Sequence, residues 1–166
     1  MYKLKSWCKE TFRTKTDILT LIGWIILLSL VIIKVHWITY TQTTRLSYYK
    51  IAFAIYEGPS LSNLDLLIIA FASFLAGFVL SDAKTMLYGY IISMFSVFVI
   101  GVIYVLFFIW FFFGRGELFQ AISYGWELAV YMAIMEIFRM MFPLILGVCL
   151  LSLAVGSLVR YWMTSW

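Results

Sequence analysis

The sequence predicts an all-α integral membrane protein of four transmembrane helices, with amphipathic helices in the outer interface and both termini cytoplasmic. Three observations carry this. The chain is 64% hydrophobic and only 12% charged, against about 25% charged in a typical soluble domain. Its charges leave four long gaps: 16 residues between Asp17 and Lys34, 16 between Asp65 and Asp82, 30 between Lys84 and Arg115, and 20 between Arg139 and Arg160. About 20 apolar residues cross a bilayer core, and only helices or closed barrels satisfy their backbone there. Lastly, Lys3, Lys5, Lys9, Arg13 and Lys15 all precede the first apolar run, which by the positive-inside rule puts that end in the cytoplasm. The length allows a single membrane domain, residues 1–166, and a multi-pass place in the cell membrane.

Residues 1–17 form the basic leader, read as an uncleaved anchor because no small-x-small cleavage pattern follows Ile33. Its cations suit topology and anionic lipid better than nucleic acid. The first crossing is placed at about 18–38. Lys34 extends to the headgroups on its apolar stem, and His36 and Trp37 mark the outer boundary.

Residues 43–57 read as an outer amphipathic helix, with Leu46, Tyr49, Phe53 and Tyr56 at helical spacing. Glu57-Gly58-Pro59-Ser60 ends it, and Ser62-Asn63-Leu64-Asp65 is a capping box opening the second crossing, 65–81. Ser73, Gly77 and Ser81 lie four apart on one face, the pattern that lets helices approach closely in lipid. Asp82 and Lys84 sit in the tight turn to the third crossing, about 85–113.

That third run is long for one perpendicular crossing, and its excess is the aromatic stretch Phe107 to Phe113, including Trp110. Residues 117–139 form a second amphipathic segment, placed outside because 20 residues counted back from Arg160 put the last crossing at about 140–160. Glu117, Gln120, Ser123, Tyr124, Glu127 and Tyr131 share one side of it, and Glu136 stands three before Arg139, close enough to pair. Ser152 and Gly156 give the last helix its own small-residue face.

The motifs of common chemistries are missing. There is no GxSxG, HExxH, GxGxxG, P-loop or CxxC, and one histidine cannot build a multi-histidine metal site. His36 then reads as an interfacial polar aromatic. No enzymatic activity, cofactor or metal is expected.

The expected function is a non-catalytic accessory or structural subunit of a larger membrane complex, with the lipid bilayer and other membrane subunits as partners and no nucleic acid. Its packing surfaces would be Ser73, Gly77, Ser81, Ser152, Gly156, Trp110 and Phe113. The alternative is a small oligomeric transporter or channel using Asp82, Lys84, Glu127, Glu136 and Arg139 along a polar pathway.

Overall fold

The computed structural model describes residues 15–44, 61–80, 82–112 and 125–165. The leader through residue 14, the first amphipathic segment from residue 45, residues 113–124, and with them Ser81 and Phe113, lie outside the described residues.

Every element in the described residues is helical: α1 Lys15–Thr44, α2 Asn63–Val79, α3 Ala83–Phe112, α4 Gly125–Met140, a π-helical turn Met141–Ile145, and α5 Leu146–Thr164. Three stretches are long and apolar enough to cross a membrane, Lys15–Thr39, Ala83–Trp110 and Ala129–Thr164, and α2 is a shorter apolar helix of 17 residues.

Local sequence explains the boundaries. The Ser62 side chain accepts from the Asp65 amide while the Asp65 carboxylate accepts from the Ser62 amide, the capping box expected at the start of α2. At the other end of α2, the Arg160 guanidinium donates to the Leu80 and Val79 carbonyls, satisfying acceptors that a helix C-terminus leaves open.

Helix directions follow from who touches whom. Gly89 rests on Leu21 and Tyr104 on His36, so α1 and α3 run parallel with partners 68 positions apart at both places (89 − 21 and 104 − 36). Trp24 meets Ser73 and Lys34 meets Asp65, so α2 runs opposite to α1. Trp126 stacks on Trp110, Ile137 packs on Gly101, and the Tyr90 hydroxyl donates to the Leu146 carbonyl. The whole path α4–turn–α5 therefore runs opposite to α3.

The most extensive contact is between α2 and α5. Glycine makes it possible. A Cβ added at Gly77 would overlap the Leu153 carbonyl, and one at Gly156 would overlap the Phe74 carbonyl. In lipid, where apolar surface gives helices little reason to associate, such close approach supplies the dispersion contacts that hold them. The faces pointing away carry Ile22, Ile26 and Leu30 on α1, Leu67, Phe71 and Leu75 on α2, and Leu87, Ile91 and Phe95 on α3, all exposed. Each set repeats every four residues, one apolar stripe per helix suited to acyl chains.

The last part of the chain differs from the sequence reading. That reading ended one segment at residue 139 and began another at 140, whereas the helix continues through residue 140 and breaks at Phe142–Pro143. Phe142 is extended (φ −103°, ψ 134°) and the peptide bond to Pro143 is cis. Proline has no amide hydrogen for the carbonyl four residues back, so the regular ladder cannot pass this point. Residues 129–140 lie along α3 through the buried Ala129, Ala133 and Ile137. Counting charge-free residues began the last crossing after Arg139 and left Glu136 outside it, but the Glu136 carboxylate has a partner across the bundle.

Candidate functional site

That partner is His36. Its imidazole is buried, 1% exposed, where α1, α3 and α4 meet near the Lys34 end of the bundle. Its Nε2 lies 3.4 Å from the Glu136 Oε1. Tyr104 and Phe108 meet the ring edge-to-face, with centroids 5.3 and 5.0 Å away at 86° and 87°. Near-perpendicular ring pairs at this separation are a favourable quadrupolar arrangement.

Small residues bring these groups together. An added Cβ at Gly101 would stand 3.1 Å from the Ile137 Cδ1, so the glycine lets α4 settle closely onto α3. Ala129 and Ala133 lie on the same face of α4, 5% and 0% exposed. At about 100° per residue, Glu136 falls at the edge of that buried face, while Glu127 points to the opposite side and is exposed.

The site holds unused hydrogen-bonding capacity. The Tyr104 hydroxyl and the Glu136 Oε1 are buried without a hydrogen-bond partner among the described residues. An imidazole and a partly buried carboxylate separated by 3.4 Å can attract as ions or exchange a proton. In a low-dielectric setting either state is costly to leave unpaired. No group of three or more His, Cys, Asp or Glu side chains placed to hold a metal ion occurs among the described residues. No protein-family model matches the chain, and no curated protein or solved structure does.

The remaining sequence-predicted residues are distributed as follows. Ser73 is fully buried, accepts from Trp24 Nε1 at 3.2 Å and donates to the Ile69 carbonyl at 2.8 Å. Gly77 and Gly156 sit in the α2–α5 contact, so the two small-residue faces meet within the chain. Ser152 lines an open apolar groove of about 400 Å³ with Phe71, Phe74 and Val155. Trp110 is exposed and stacked on Trp126 at 5.2 Å. Asp82 and Lys84 are exposed at the start of α3, and Asp82 lines a cavity of about 320 Å³ with Met86, Arg160 and Tyr161. Arg139 is exposed.

Two features went unseen in the sequence. His36 is enclosed by α3 and α4, which its neighbours in sequence do not indicate; its distance from Glu136 along the chain gave no hint of the pair. Lys34 donates to the Asp65 carboxylate at 2.8 Å, so its ammonium meets a protein partner. The Asp65 side chain is 6% exposed and the Lys34 side chain 49%. The signal available for α4 was the spacing of Ala129 and Ala133 opposite Glu127, which marks the face that turns inward.

Proposed function

We propose that this chain is a small transport protein of the cell membrane, moving a small cation along a polar pathway that passes the His36–Glu136 pair. Its basic leader lies on the cytoplasmic side, in keeping with the positive-inside rule. One observation supports the reading above the others: a buried imidazole faces a carboxylate oxygen across apolar helices, with the Glu136 side chain still 20% exposed. Ionisable groups at such depth are costly and mark ion or proton pathways. A purely structural role explains the pair less well. Well-packed hydrophobic residues stabilise a buried contact as effectively as an ion pair does, and α3 and α4 already pack through Gly101, Ala133 and Ile137.

The test is flux into liposomes carrying the purified protein. Cation uptake is expected in the parent and strongly reduced in Glu136→Gln. A parent protein that moves no cation under an imposed potential removes the proposal.

The reading as a non-catalytic accessory subunit of a larger complex draws on a different observation, the exposed Trp110–Trp126 stack. Gly77 and Gly156 no longer support it, since each is covered by the other's helix. Co-purification of a membrane partner in mild detergent, lost in a Trp110→Ala, Trp126→Ala double variant, would favour it.

A further inference from the structure

The parallel register of α1 and α3 aligns more than the outer pair. The Gly89–Leu21 and Tyr104–His36 contacts are both 68 positions apart, and the same spacing puts Thr85 level with Asp17 at the other end. Asp17 and Thr85 are 1% and 2% exposed. Between these ends lie two further buried hydroxyls, Ser93 on α3 (0% exposed) and Ser29 on α1 (7%). Neither hydroxyl oxygen has a hydrogen-bond partner among the described residues.

Their faces agree. Ser29 stands seven residues before His36 and Ser93 eleven before Tyr104, both spacings that return to within about 20° of the same helix face. Both hydroxyls thus occupy the α1–α3 seam that holds the imidazole. Measured along α3 at 1.5 Å per residue, Thr85 to Tyr104 spans about 28 Å, close to the thickness of the hydrocarbon core. At the Asp17 end, the cavity between Asp82, Met86 and Arg160 opens one turn from Thr85.

Resting on the transport reading above, we propose that the transported cation is the proton and that the α1–α3 seam is its path. The packing argues for this species. With aromatic rings about 5 Å from the imidazole on two sides, the site leaves no room for a hydrated metal ion, whereas a proton needs only a chain of groups that accept and donate. The axial steps from Thr85 to Ser93, Ser29 and Tyr104 are about 12, 6 and 10 Å, so the path requires bridging waters between the hydroxyls.

The transfer balances without a co-reactant. Glu136 takes a proton from water at the Lys34 end and passes it to His36 Nε2, its O–H bond breaking as the N–H bond forms. The imidazolium releases a proton from its other nitrogen to the next oxygen along the seam. Each hydroxyl accepts one proton and gives up its own, and the Asp17 carboxylate returns one to water. One positive charge crosses. The charged and titratable groups near the pair are Tyr104 on α3, Arg139 after Glu136 on α4, and on α1 Lys34, which Asp65 of α2 holds.

The experiment uses the full chain in phosphatidylethanolamine/phosphatidylglycerol vesicles with an enclosed pH dye, a potassium gradient and valinomycin to set the potential. The parent is expected to pass protons. Glu136→Gln should lower the rate about a hundredfold, the scale of losing a positioned proton carrier, while Tyr131→Phe on the exposed face of α4 leaves it unchanged. A Ser29→Ala, Ser93→Ala double variant, which keeps Glu136 and the packing volume, should lower the rate about tenfold or more, at an unaltered melting temperature. Should Glu136→Gln fail to fold, the serine variant decides. Parental rates in a folded Glu136→Gln or in the serine variant overturn the proposal. Sodium or potassium flux without proton flux overturns the proton assignment and leaves the transport reading standing. A parent that passes no cation overturns both.

Discussion

Replacing Gly156 by alanine adds one methyl group, and the structure says where it goes. The new carbon would stand 3.0 Å from the Phe78 amide nitrogen and 3.1 Å from the Phe74 carbonyl carbon, with the Phe74 carbonyl oxygen nearer still. These are backbone atoms of α2, which cannot rotate aside as a side-chain terminus would. Relief requires α2 and α5 to part by about 1 Å, a gap at which a contact loses roughly half its dispersion attraction. Ile69, Ser73, Ala76, Cys149 and Leu153 are buried on these two helices, so many contacts stretch together. The expected cost is about 3 kcal/mol, the upper end for overpacking. Gly23 and Gly147 are internal controls, because a Cβ at either meets nothing within 4 Å. Thermal unfolding of the purified variants in one detergent should rank Gly156→Ala and Gly77→Ala well below the parent, with Gly23→Ala and Gly147→Ala at or above it. Equal melting temperatures for Gly156→Ala and Gly147→Ala would refute the close-contact argument.

The Asp65 carboxylate accepts from Ser62 Oγ at 2.7 Å and from Lys34 Nζ at 2.8 Å. Asp65→Ala should therefore cost about 1–2 kcal/mol through lost capping, and Lys34→Ala less than about 1 kcal/mol because the lysine is half exposed; the reverse order in chemical unfolding would contradict this assignment. Cys149 is 0% exposed, so its thiol should resist a membrane-permeant maleimide in the folded protein and react once the protein is denatured, with equal rates in both states as the adverse result.

The parts of this fold legible in the sequence were those fixed by short-range chemistry or by the cost of charge in lipid. The capping box at Ser62–Asp65 needs only four residues and formed as read. The charge-free run after Lys84 became one helix, Ala83–Phe112. Reading failed where a charge was neutralised by a residue distant in sequence. Glu136 was paired with Arg139 three positions on, yet His36, 100 positions earlier, lies 3.4 Å from it. Lys34 looked like a side chain extended to lipid headgroups, yet Asp65 receives it. The small residues were recognised as contact surfaces, but spacing along one helix does not say which helix fills the groove. That Gly77 meets Leu153 is a matter of bundle arrangement, and Gly101, with Ala129 and Ala133, was passed over because glycine and alanine are common within apolar runs.

The meeting of α2 and α5 also sets an order of events during synthesis. The bond from Arg160 to Leu80 joins residues 80 positions apart, and Gly77 finds Leu153 only after most of the chain has been made. Domains made from the N-terminus onward must wait for such late partners. Until α5 arrives, the nascent chain holds a 17-residue helix with its glycine groove open to lipid and its C-terminal carbonyls uncapped. The α2 groove is thus closed only by α5, and a ribosome that stops before residue 146 releases a chain lacking the surface against which α2 rests.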